Sequence, residues 1–176
     1  MKIFSNEAEM NGIMKVAELM CIAARTAPKA RGIDNIVTSI LTDTEKEQLA
    51  AKMVEIANSG YRTNTFLRDA DCIKKATAIV LIGTKISVIG LDCGFCGFEN
   101  CKKCEDLKGV CIYNPGDLGI AIGSAVSIAS DNRIDNRIMY TAGYTAVKNK
   151  MLGSDIKIAF GIPLSASGKN IFFERK

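Results

Sequence analysis

Across residues 6–24 the apolar side chains Met10, Ile13, Met14, Ala17, Met20, Cys21 and Ala24 recur at steps of three and four, and Glu7, Asn11, Lys15 and Glu18 take the other side. That period buries one face of an α-helix, so the chain is expected to open on an amphipathic helix with Cys21 as a small core residue. Residues 35–41 (Asn-Ile-Val-Thr-Ser-Ile-Leu) are rich in β-branched side chains and predict a strand. Asp43 is expected to cap a second helix, with Thr44 and Glu47 offering a capping box one residue later. Leu49, Met53 and Ile56 would form its buried stripe before Asn58-Ser59-Gly60 ends it. Residues 66–71 read as a polar interruption ahead of a short helix, and the apolar runs 78–82 and 86–91 as central strand.

Further on, Asn114-Pro115-Gly116-Asp117 is turn chemistry, with Asp117 as the N-cap of the next helix. Residues 118–129 are apolar on every side, which predicts a helix buried all round, in the core or against a partner chain. Gly119 and Gly123 would let another helix approach closely. A more polar helix is expected over 136–149, a last strand over 156–160, and a loop of small residues over 161–170 that carries Lys169. No repeat or low-complexity linker interrupts the 176 residues, a length that one domain can fill around its own core.

Composition narrows the chemistry. The chain is 48% hydrophobic and 24% charged, as ordinary globular proteins are, and its apolar runs are too short or too interrupted to span a bilayer. A net charge of +4 without an aromatic-interleaved basic stripe does not suggest nucleic acid as a partner. There is no histidine, which removes Ser-His-Asp and Cys-His catalysis. Seven cysteines without a secretion signal read as reduced thiols or metal ligands in a cytoplasmic protein.

Four of those cysteines, Cys93, Cys96, Cys101 and Cys104, form a C-x2-C-x4-C-x2-C array in which Gly94 and Gly97 let the backbone turn tightly. Four thiolates suit an iron–sulfur cluster or a structural zinc ion, and argue against calcium, magnesium and blue copper. Disulfides or unligated thiols are the alternative, and Cys111 is a fifth ligand or a spare thiol. A second cluster of interest lies just after the first helix: Arg25, Lys29 and Arg31 gather around Pro28, where they can hold a phosphate or can simply complement the C-terminal end of the helix.

Several stretches together resemble the FMN-dependent nitroreductase superfamily and, within it, the small DUF2148-type subfamily described as containing a ferredoxin domain. They are residues 24–34, Arg68-Asp69-Ala70-Asp71, the cysteine array, residues 117–124, residues 134–139, residues 161–165 and Gly168-Lys169-Asn170. The resemblance implies a homodimeric α+β protein whose mixed or antiparallel central sheet is flanked by helices, with FMN in a cleft between subunits. It also implies a single nitroreductase-like domain over 1–176 carrying a Cys-rich insertion at about 92–111. The family's Arg-x-Ser-x-Lys flavin contact corresponds to Arg25, Thr26, Ala27 and Lys29, with Ala27 in place of the serine. Arg68 and Asp69 would fall at the pyrimidine edge of the flavin, Met139, Tyr140 and Thr141 along its ring, and Lys169 at its phosphate. The implied activity is an oxidoreductase that passes electrons from a reduced nicotinamide or protein donor to a small-molecule or protein acceptor. The resemblance singles out no catalytic side chain. The competing expectation is a non-enzymatic electron carrier or binding protein that uses the cysteines as a structural zinc site.

Overall fold

The structure, a computed structural model, describes residues 2–173. Helix α1 (Ser5–Thr26) leads through a single 3-10 turn (Ala30–Gly32) into strand β1 (Ile36–Leu41). Helices α2 (Asp43–Asn58) and α3 (Thr63–Lys75) then precede strand β2 (Ala78–Lys85). After a long irregular stretch come the short α4 (Cys101–Asp106), the long α5 (Tyr113–Asp131), a two-residue β3 (Asp135–Asn136), α6 (Tyr140–Lys148) and β4 (Ile156–Ser165). The strands form one antiparallel sheet in the order β1-β2-β4-β3, so the fold is α+β as expected.

Strand β2 is apolar at nearly every position because both faces of the sheet are covered. Ile79 and Leu81 point to one face, where they pack with Leu49, Met53, Phe66 and Ile73 of α2 and α3. Val80 and Ile82 point to the other face and pack with Ala17 and Met20 of α1 and Ala121 and Ala125 of α5. Among the described residues no helix is long and apolar enough to cross a membrane.

Several sequence expectations are corrected. Residues 66–71 do not interrupt anything; they lie inside α3, where Phe66, Asp69, Ala70 and Ile73 share its buried face. A buried aspartate on that face disguised the helical period. Asp43 is the first residue of α2, with φ 41°, and the N-cap is Thr42, which makes no side-chain capping bond. Asp117 lies within α5, which begins four residues earlier with Pro115 tolerated in its first turn. Residues 86–91 are irregular, not strand. The helix expected over 136–149 begins only at Tyr140, because Asp135 and Asn136 pair with Ser165 and Leu164. Strand β4 runs on through the expected loop to Ser165, with Pro163 opposite Ile79. In the single chain Gly116, Gly119, Ile120, Gly123 and Ser127 of α5 form an exposed stripe, so the core covers only part of the helix expected to be buried in the core or against a partner chain.

Helix α6 lies directly on β4. A Cβ built at Gly143 would stand 1.8 Å from the Ala159 carbonyl oxygen and 2.6 Å from Phe160 Cα, and both are backbone atoms that cannot rotate away. At Gly119 nothing lies within 4 Å. Gly143→Ala is therefore expected to destabilise the protein by at least the 1–3 kcal/mol or so typical of overpacking. Gly119→Ala should not destabilise the isolated chain, since it removes a helix-interior glycine whose cost is about 1 kcal/mol. Denaturant midpoints of the two variants check this; equal midpoints would contradict the packing described.

Candidate functional site

The C-terminal end of α1 and the loop after it bring the first group of candidate residues together. Lys29 Nζ donates to the carbonyls of Ala24, Arg25 and Ala27 at 2.6, 2.6 and 2.7 Å. Those contacts occupy all three ammonium donors on the carbonyls that α1 leaves without helical partners. Burial pushes the Lys29 pKa down and the neighbouring Arg25 acts in the same direction, while Asp34 and Asp117 oppose them. Arg25 pairs through Nη1 with the Asp34 carboxylate and the Ile36 carbonyl, the latter at 2.9 Å. Its Nε and Nη2 are not part of those contacts, and its side chain is about half exposed. Burial alone would raise the Asp34 pKa, but the Arg25 hydrogen bond, the Ile36 N–H and the charges of Arg25 and Lys29 hold it below the ordinary carboxylate value. Thr26 turns its hydroxyl back to the Ile22 carbonyl at 3.1 Å, and Ala27 is buried.

A second group meets where α3 faces the start of α6. Asp69 is buried and accepts from Thr141 Oγ1 at 2.6 Å through Oδ2, while its Oδ1 accepts from Arg68 Nε at 2.9 Å. Arg68 is thereby held with part of its guanidinium in solvent. Met139 is locked to Gly161 by a reciprocal pair of backbone bonds, its N–H donating at 2.8 Å and its carbonyl accepting at 3.0 Å. Tyr140 remains partly exposed, with the Arg62 guanidinium 6.0 Å from its ring centroid. Thus Arg68, Asp69, Met139, Tyr140 and Thr141, which are far apart in sequence, form one neighbourhood. Tyr140 also opens onto a cavity of about 480 Å³ lined by Tyr144, Lys148, Lys157 and Phe160. Lys169 lies in the exposed segment after β4, where its carbonyl accepts the Ser167 hydroxyl.

The cysteines occupy the irregular segment between β2 and α5. Cys104 is buried on α4, with Cys96, Cys111 and Cys101 as neighbouring thiols. Burial pushes the Cys104 pKa up, and those thiols push it the same way. Cys101 is clasped by Asp92: the Asp92 N–H donates to Cys101 Sγ at 3.2 Å and the Asp92 carboxylate accepts the Cys101 N–H at 2.7 Å. The Tyr113 pKa is raised first by burial and then by the neighbouring Cys93 and Cys111 thiols and the Asp117 carboxylate. All of these cysteines are free. Among the described residues no three Cys, Asp or Glu side chains converge tightly enough to define a metal site by themselves. The donor chemistry nevertheless fits a soft metal, since the segment gathers thiols and little else. Beside it, Asn114 Nδ2 is the one buried side-chain nitrogen or oxygen without a partner among the described residues.

Sequence reasoning did not anticipate three supports. Asp34 orients Arg25, Asp117 accepts the Ala30 N–H at 3.1 Å, and Asn114 Oδ1 accepts the Ser87 N–H at 3.1 Å. Asn114 and Asp117 carried a signal that was read as turn chemistry, whereas Asp34 carried none beyond lying nine residues from a cation.

Residues 108–175 match the family described as "Uncharacterized protein containing a ferredoxin domain (DUF2148)". An "Uncharacterized protein" of Archaeoglobus fulgidus is 42% identical, with 99% of this chain and 95% of that protein covered. Among solved structures, the chain is similar to nitroreductase CinD of Lactococcus lactis in complex with nicotinic acid. The TM-score is 0.62 at 15% identity over 92% of this chain and 84% of that one. It is also similar to a putative nitroreductase of Desulfovibrio desulfuricans in complex with FMN, with a TM-score of 0.61 at 11% identity over 92% and 78% of the two chains. The FMN-dependent nitroreductase NfnB of Mycobacterium smegmatis, in complex with NADPH, gives a TM-score of 0.58 at 8% identity over 88% and 78%. At these identities the structural likeness establishes the nitroreductase-like α+β fold, and the near full-length relative together with the family match shows that the chain belongs to the ferredoxin-domain family DUF2148.

Proposed function

We propose that the protein is an FMN-dependent oxidoreductase that also carries a thiolate-bound metal centre, preferentially an iron–sulfur cluster, and works as a cytoplasmic homodimer. The observation that carries this reading is the assembly of Arg68, Asp69 and residues 139–141 into one neighbourhood on a fold otherwise seen with FMN in the Desulfovibrio desulfuricans structure. We take 1–176 as one nitroreductase-like domain with the cysteine segment inserted at 92–111.

FMN, when bound, supplies hydride acceptance from a reduced nicotinamide or protein donor and release of electrons to an acceptor. The chain supplies position and charge. Arg25 fits as the phosphate ligand: Asp34 and the Ile36 carbonyl fix one nitrogen of its fork, and Nε and Nη2 remain for an anion. Lys29 supports that site indirectly by capping the helix end from which Arg25 projects. Arg68, steadied by the buried Asp69 carboxylate, offers a cation to the pyrimidine edge, with Tyr140 alongside and Lys169 as a further cation for the phosphate. The exposed stripe of α5, where glycines leave room for a second helix, is the surface we assign to the dimer contact.

Arg25→Ala is expected to weaken FMN binding by about 2 kcal/mol, roughly thirtyfold, as the loss of one charge-assisted partner does. Lys29→Met should lower stability by about 1 kcal/mol and leave FMN affinity nearly unchanged. Titration of FMN fluorescence checks the two affinities and a denaturant midpoint the stability of Lys29→Met; unchanged affinity in Arg25→Ala would remove the phosphate assignment. Light scattering at micromolar concentration should give the mass of two chains, and Gly119→Leu should shift the protein toward monomer. A wild-type monomer would contradict the shared cleft.

A further inference from the structure

The cavity onto which Tyr140 opens lies between α6 and the first half of β4, and its volume of about 480 Å³ falls within the roughly 300–1,000 Å³ of small-molecule sites. Tyr140, Tyr144 and Val147 of α6 form one wall, and Ile158 and Phe160 of β4 the other. The aromatic wall is built in advance. Phe66, wholly buried, braces both tyrosines edge-on, its ring 6.3 Å from that of Tyr140 and 5.9 Å from that of Tyr144. Tyr61 stacks on Tyr144 at 5.5 Å and 22°, and the Arg62 guanidinium lies 6.0 Å from the Tyr140 ring centroid. Rings fixed in this way lose little side-chain freedom when a ligand covers them. Both tyrosines nevertheless stay 39% exposed, so the fold leaves this apolar surface open.

The charges that line the cavity are Lys148 and Lys157, and among the described residues no carboxylate joins them, so the field inside is positive. Lys157 Nζ donates to the Ser154 carbonyl at 3.3 Å, which leaves ammonium protons for another acceptor. Asp155, the carboxylate nearest to Lys157 in sequence, is already paired with Lys85 at 2.7 Å, and its pKa is held down chiefly by that bond. A compact anion such as phosphate would leave the aromatic wall in water, and a neutral hydrocarbon would leave the two cations without a counter-charge. We propose that this cavity binds a planar aromatic carboxylate of one or two rings, whose ring packs on Tyr140, Tyr144 and Phe160 and whose carboxylate meets Lys148 and Lys157. The site shares Tyr140 with the neighbourhood assigned to the flavin, but none of the cations Arg25, Arg68 and Lys169, so it stands or falls separately from the FMN reading.

Isothermal calorimetry of the purified protein with 2-naphthoate, and with the neutral 2-naphthamide beside it, tests the ligand class. Naphthoate should bind, and naphthamide should bind about tenfold or more weakly, as the loss of one charge-assisted contact implies. Lys148→Glu and Lys157→Glu, both at exposed positions, should each weaken naphthoate binding by a similar factor, whereas Arg25→Ala should leave it unchanged. Amide NMR shifts of the wild-type chain need no variant to fold, and on addition of naphthoate they should change over residues 140–148 and 157–160. Equal binding of the two compounds would overturn the anionic class. No binding, or shifts confined to other residues, would overturn the site. Competition between naphthoate and FMN, together with loss of FMN binding in Lys148→Glu, would make the cavity the flavin's own and overturn the assignment. Failure of naphthoate to bind a chain that takes up FMN normally would overturn this inference and leave the flavin reading intact.

Discussion

Residues 86–92 run beside the core without a strand to pair with, and their backbone polar groups are met by side chains instead. Arg31, itself at φ 54°, donates to the carbonyls of Ile89 and Gly90 at 2.9 and 3.2 Å. Asn35 holds the Ser87 hydroxyl at 2.7 Å, and Asn114 accepts the Ser87 N–H. Because buried backbone groups must find partners, this set of contacts fixes where the cysteine segment leaves the sheet and where α5 begins. Asp117 closes the set by accepting the Ala30 N–H, so the same contacts position the cation loop after α1. Both candidate centres therefore depend on one network of neutral and charged side chains rather than on regular structure.

The two centres solve opposite electrostatic problems. At the helix end, cations are held in place by Asp34 and by carbonyl oxygens, and Arg25 retains donors for an anion. In the cysteine segment, Cys104 is buried with other thiols as neighbours, and burial and those thiols raise its pKa. We propose a flavin phosphate for the first of these surroundings and a soft metal for the second.

Much of this was legible in the sequence. The period of α1, the β-branched run of β1 and the apolar run of β2 each reflect a local rule that tertiary structure did not override. The failures have physical causes. Asp69 broke the apolar pattern of α3 because it is buried for a hydrogen bond with Thr141, not for packing. Gly161 and Pro163 resemble loop residues, yet Gly161 belongs to β4 because a Cβ there would lie 2.6 Å from that of Ala142 and 2.8 Å from Ile79 Cδ1.

The central claim is that a flavin and a thiolate-bound cluster share this chain. The absorption spectrum of anaerobically purified protein tests both together, because flavin bands and the broad visible absorption of iron–sulfur thiolates superimpose and both bleach on reduction, while zinc is silent. The account predicts a coloured protein that releases FMN on denaturation and contains iron and sulfide in proportion to chain. A colourless protein that holds zinc and takes up no FMN would contradict it.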